Sequence, residues 1–180
     1  NFVPAARILD IPFLFRNYDH ARHTMDGTIG PDVLKKMSAK GLIGLAWAEN
    51  GFRHISNRVR ELRRPADLAG LTIRVLPSKV HARTFELLGA VPQRMDLTQA
   101  LAMITAGTID AQENPLSNSV TYGVHKFHRF HSVTNHFYIS RPIFVHRPTF
   151  DGWPTELQEA MRRAVAAAVA MQRGLAVEED

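Results

Sequence analysis

The chain has 180 residues, 45% of them apolar and 22% charged, which is enough to bury a core in one domain or two small lobes and excludes a largely disordered chain. It contains no cysteine, so disulfides and thiolate metal sites are excluded, and no apolar run approaches the roughly 18 to 20 residues of a membrane-spanning helix, so a soluble protein is expected. The net charge is +5, with 17 arginines against 5 lysines; the arginines are scattered, apart from Arg58-Val59-Arg60 and Arg63-Arg64, which argues against nucleic acid and leaves anionic small ligands.

The opening Asn1-Phe2-Val3-Pro4 has neither an initiator Met nor a signal-peptide pattern, as in a mature secreted chain or an excised fragment. Pro4 and Pro12 interrupt the apolar run Ile8–Phe15, so residues 1–16 are predicted to be an extended buried segment. Two short helices follow, near Asp19–Met25 and from Pro31 to Gly41, the latter a natural stop. Leu42–Ala48 is nearly all apolar and reads as a strand covered on both faces. Strands and helices then alternate. Leu71–Val75 is a strand, and Ser78 caps a helix that runs to Leu88 and stops at Gly89. Val91–Met95 is a strand, and Asp96 with Gln99 forms a capping box for a helix with Leu97, Leu101 and Ile104 on one face, stopping at Gly107. Ile109–Glu113 is a strand, and Asn114-Pro115 opens another helix. Phe137–His146 returns to strand character, with Pro142 marking a bend or an edge. Pro154 begins the longest helix, whose apolar stripe is Leu157, Met161, Val165 and Val169 with Ala164 and Ala168 beside it. The acidic end Glu178-Glu179-Asp180 opposes the helix dipole, so fraying there, or an end short of the natural one, is expected. Strands between helices of about ten residues indicate an α/β fold.

Arg74 is the most informative residue. It lies near the carboxyl end of a predicted strand, just before a helix start, where ligands of α/β sheets gather and where helix N–H groups favour anions. Its guanidinium matches a carboxylate bidentately, although the same spacing suits a surface salt bridge. Asn114 ends a similar strand and either caps the next helix or donates to a ligand oxygen. Arg53 follows Asn50-Gly51-Phe52 at a strand exit where the chain could cross between lobes. His125, His128 and His131 are evenly spaced, with His136 beyond; lacking a carboxylate or cysteine partner, they read as solvated loop histidines, so no metal or cofactor is expected. Asp110 and Glu113, three apart on a strand, point to opposite faces and make no catalytic pair. With no Gly-x-Ser-x-Gly elbow, phosphate loop or His-Glu-x-x-His helix, nothing in the chain marks an enzyme.

Several segments together carry a resemblance: Ile8–Phe15, Glu49-Asn50-Gly51-Phe52-Arg53, Leu68–Val75, Leu88-Gly89-Ala90, Gly107–Pro115 and Thr134-Asn135-His136. In this order and spacing, across nearly the whole chain, the sequence resembles the substrate-binding proteins of tripartite ATP-independent periplasmic (TRAP) transporters, of the C4-dicarboxylate-binding type. The resemblance implies an α/β, two-lobed periplasmic-binding-protein fold with hinge strands and a long C-terminal helix. Residues 1–50 would be part of lobe one, 51–139 lobe two, and 140–180 the return to lobe one. It places the chain's start after the strand and helices that open lobe one, leaving that lobe incomplete. Arg74 falls on the arginine that pairs with the substrate carboxylate, Arg53 and Asn114 on further ligand contacts, and His136 near the cleft. Pro77 and Ser78 line the same pocket, and Leu97 stands where an aromatic often packs on the ligand. The implied function is that of a periplasmic receptor, monomeric and made with a signal peptide, that binds a small organic acid and delivers it to TRAP membrane subunits. The alternatives are an α/β enzyme acting on an organic acid, or a cytoplasmic ligand-sensing domain.

Overall fold

Short polar side chains open three of the helices. The Asn17 carboxamide accepts from the His20 amide at 2.9 Å and opens α1 (Tyr18–Asp26). Ser78 caps α3 (Lys79–Leu87) through the His81 amide, and Asp96 caps α4 (Leu97–Ala106) through the Gln99 amide at 2.8 Å. Between them α2 (Ile29–Lys36) has no side-chain cap and begins two residues before Pro31. Gly30 permits this, since a Cβ there would lie 1.9 Å from the Met25 carbonyl oxygen. Gly107 ends α4 in the left-handed region at φ 67°. These features belong to a computed structural model that describes residues 3–179, and the side chains of 3–176. Asn1 and Phe2, and Asp180 of the acidic end, lie outside the described residues.

The strands are β1 (Leu42–Asn57), β2 (Thr72–Val75), β3 (Val91–Arg94), β4 (Ala111–Asn114) and β5 (Phe130–His146), in one sheet of order β3-β2-β4-β1-β5. Parallel pairing joins β2 to both β3 and β4, while β1 runs antiparallel to β4 with Ile55 opposite Glu113. The mixed sheet with its helices is the α/β arrangement expected. Two strands are longer than predicted: β1 continues through Gly51 to Asn57, and β5 begins at Phe130 rather than Phe137. Polar residues extend both because neighbouring strands pair their backbone whatever the side chain. Pro142 is tolerated because β5 is an edge strand.

The chain divides into two compact units. Among the described residues, the first comprises 3–9, 14–51 and 138–179; the second comprises 10–13 and 52–137, so Asp10–Phe13 falls apart from the rest of residues 1–50. Residues 4–10 form a 3-10 helix instead of the extended buried segment expected. Its three-residue repeat turns Val3 and Leu9 inward and leaves Ile8 54% exposed. Helices α5 (Leu116–Thr121) and α6 (Arg147–Asp151) follow α4, and all of α7 (Thr155–Glu179) belongs to the first unit. Its buried stripe starts later than predicted: Leu157, Ala164 and Ala168 are exposed, Met161 and Val165 half-buried, and Val169 buried. Polar bonds complete that attachment. The Gln172 carboxamide pairs with both backbone groups of Glu49, donating to its carbonyl at 2.8 Å and accepting from its amide at 3.1 Å. The buried Glu49 carboxylate is gripped by Arg22 and accepts from Tyr138 Oη at 2.7 Å.

Glu49→Ala is therefore expected to lower stability by about 2–3 kcal/mol, below the full cost of breaking a buried pair because Arg22 keeps some solvent. A fall in melting temperature measures it, and an unchanged midpoint would contradict the clamp.

Candidate ligand-binding site

Strand alternation deals the polar residues of the second unit to the two faces of its sheet. Glu113 points to the face covered by α3, whose core is Ile55, Ile73, Phe85 and Phe137. Gln112 and Asn114 point to the other, where Gln112 meets Ser119 of α5 (Leu116–Thr121). Arg74 is paired with Gln112 in the parallel register and shares that second face. Because β2, β3 and β4 run parallel, their carboxyl ends form one edge. Arg74 lies one residue from the end of β2, Asn114 ends β4, Pro77 and Ser78 follow β2, and Leu97 follows β3. Five positions singled out in the sequence thus gather at the edge where α/β sheets bind ligands.

On the α3 face the centre is the Glu113 carboxylate, fully buried. Arg53 engages it through Nε and Nη2, the latter 2.9 Å from Oε1, and also bonds the Glu113 carbonyl. His136 Nε2 lies 3.3 Å from Oε2, and His81 Nδ1 3.6 Å from Oε1. Burial would raise the Glu113 pKa, but the Arg53 charge and the contacts with His136 and His81 hold it well below the usual carboxylate range. Burial pushes His136 down despite Glu113. His81 stacks on Phe137 with ring centres 3.9 Å apart.

On the other face Arg74 is 3% exposed, and its Nε and Nη2 donate to the Met95 carbonyl at 3.2 and 3.1 Å. Among the described residues no carboxylate lies within ion-pair distance of it. Burial, then repulsion from Arg53, lowers its pKa, although an arginine keeps its charge. Asn114 is buried and donates to Gln112 Oε1 at 3.0 Å. Ser78 is half-buried as the α3 cap, Leu97 is half-buried, and Pro77 is exposed.

Arg53 and His136 therefore meet on Glu113, while Arg74 and Asn114 lie across the sheet, near enough for the two arginines to repel. Sequence reasoning missed His81 and the central place of Glu113. A signal was available for His81, since helical spacing puts it on the inward face with Ala82 and Phe85. His136 is buried on β5, and the reading of His128 as solvated is wrong in the same way. His128 has no exposure, its Nδ1 lies 3.0 Å from Ser56 Oγ, and burial lowers its pKa to about 4. Val124, packed in the α4-side core, fixes the turn that carries it inward. Among the described residues no group of three His, Cys, Asp or Glu could hold a metal.

The family described as bacterial extracellular solute-binding protein, family 7 (DctP), matches residues 1–180. A solute-binding protein of Verminephrobacter eiseniae is 37% identical over 180 residues, 100% of this chain and 54% of that protein. The 2,3-diketo-L-gulonate-binding periplasmic protein YiaO of Escherichia coli K12 is 35% identical over 177 residues, 98% of this chain and 54% of that protein. A solved TRAP periplasmic solute-binding protein from Polaromonas sp. JS666, bound to D-erythronate, matches with a TM-score of 0.94 at 40% identity, covering 99% of this chain and 59% of that one. The chain thus spans about half the length of the curated relatives it matches.

The buried histidines set a pH dependence. An unfolded histidine takes up a proton near 6.5, whereas folded His128 does so only at about 4. Between these values the unfolded state binds more protons, so stability is full above pH 6.5 and falls as pH drops toward 4. The His128 contribution is about 3 kcal/mol, and His136 acts in the same direction. Denaturant unfolding across this range should show the loss, with a shallower slope in His128→Gln; an equal slope in both proteins would refute it.

Proposed function

The chain belongs to bacterial extracellular solute-binding protein family 7, and on that footing we propose that it is part of a periplasmic receptor that binds a small organic acid and delivers it to the membrane subunits of a TRAP transporter. The observation that carries this reading is a charge imbalance. The second unit buries two arginines, Arg53 and Arg74, but only one carboxylate, Glu113, which Arg53 occupies. A buried cation bonded only to a neutral carbonyl has a large desolvation cost that an anionic ligand would offset.

The ligand carboxylate pairs with Arg74, whose planar fork suits it. The Nη1 of Arg53, which makes no hydrogen bond among the described residues, and the second N–H of Asn114 assist. Ser78, Pro77 and Leu97 line the same edge, with leucine giving apolar contact without aromatic stacking. His136 acts at one remove, by holding the Glu113 that orients Arg53. The relatives named for 2,3-diketo-L-gulonate and D-erythronate support an oxygen-rich monocarboxylic acid as the class to test first.

A thermal-shift screen against a panel of sugar acids and dicarboxylates tests the proposal, because a ligand that binds the native state raises its stability by mass action. One acid class should shift the protein. Arg74→Lys, which keeps the charge and loses the fork, should weaken that binding at least tenfold, and Arg74→Ala should cost about 3–5 kcal/mol if the carboxylate stays buried. Unaltered affinity in Arg74→Ala would sink the assignment.

A further inference from the structure

A chain of buried hydrogen bonds runs behind Asn114 and involves residues that the proposed binding reaction does not use. Gln112 Nε2 lies 2.9 Å from Ser56 Oγ and 3.1 Å from Ser119 Oγ, and its Oε1 lies 3.0 Å from Asn114 Nδ2. Ser56 Oγ in turn lies 3.0 Å from His128 Nδ1. Ser56, Gln112 and Ser119 are each 2% exposed, and His128 has no exposure. Such a chain can be polarised in either direction, and the direction decides what Asn114 offers.

The placement of the Gln112 NH2 against both serines sets the direction. Ser119 Oγ accepts from Gln112 and passes its own proton to the Pro115 carbonyl, which has none to give. The Gln112 carbonyl is then turned toward Asn114. Ser56, accepting from Gln112, then places its own proton on His128 Nδ1. His128 is left neutral, in keeping with the depressed pKa that burial gives it, with its proton on Nε2, which is buried and has no hydrogen-bond partner among the described residues. Asn114 must point Nδ2 at Gln112 and Oδ1 at Asn118, whose Nδ2 lies 3.4 Å away. Only one N–H of Asn114 is consumed, and the second has no acceptor among the described residues.

We propose that Gln112 and His128 are positioning residues, whose relay through Ser56 locks the Asn114 carboxamide so that it offers the ligand a donor and never an acceptor. The proposal rests on the reading of Asn114 as a ligand contact. It limits the ligand group at that point to a carboxylate, carbonyl or ether oxygen, or a hydroxyl that accepts. A buried amide free to flip would tolerate donors as well, so the relay is a device for selecting oxygen acceptors.

Two measurements test it. Nitrogen-15 spectra of the imidazole of His128 in the wild-type protein should show a protonated Nε2 and a bare Nδ1; a proton on Nδ1 reverses the relay and overturns the proposal. The second is a double-mutant cycle with D-erythronate as the probe. Gln112→Met should weaken binding about tenfold, the loss of one hydrogen bond to a charged group, but should change affinity little in an Asn114→Ala background. Equal losses in both backgrounds would mean that Gln112 does not act through Asn114, and would overturn the proposal. If no acid of the panel binds the wild-type protein, the receptor reading fails, while the histidine spectrum still decides the direction of the relay.

Discussion

The carboxylate of Glu113 is buried without exposure, and the second unit is arranged around it. β4 supplies the acid, β1 the Arg53 that neutralises it, β5 His136 and α3 His81. An unpaired carboxylate in such a place would cost several kcal/mol, so each of these elements has to take its position for the ion to be tolerated. That constraint ties strands far apart in sequence to one point. It also consumes most of the Arg53 fork, which leaves Arg74 as the buried cation whose hydrogen bonds go only to a neutral carbonyl.

The first unit uses the same chemistry for a different purpose. Glu49 is buried against Arg22 and Tyr138, and its backbone is bridged by Gln172 from α7. Arg173 adds bonds to Asp26 and to the Trp47 carbonyl. Here two acids, Glu49 and Asp26, meet two arginines, so the charges are balanced and the cluster is a fastening. In the second unit the balance is one acid to two arginines. The two clusters thus differ in charge count and not in residue type.

Glu49 and Glu113 lie on β1 and β4, with Arg53 four residues beyond Glu49. Acids and arginines are normally exposed, and nothing in the local sequence marks these three as buried. Their burial follows from strand alternation combined with which helix covers which face. Gln112 illustrates how far this goes. One position earlier than Glu113, it faces the opposite layer and joins a neutral relay instead of an ion cluster.

Local signals were legible because their causes are local. Asn114 at a strand end, Ser78 and Asp96 at helix starts, Gly107 at a helix stop and the alternation of strand with helix follow from capping, backbone sterics and periodicity within a few residues. By those means, and by the spacing of its segments, the sequence determined the α/β class and the family to which the chain belongs. The lengths of β1 and β5, the 3-10 turn at residues 4–10, the burial of His128, and the division of Arg53 and His136 from Arg74 and Asn114 were decided by tertiary structure. Strand pairing, the choice of covering helix and the desolvation of a charge all depend on neighbours distant in sequence, and no window of local sequence contains them.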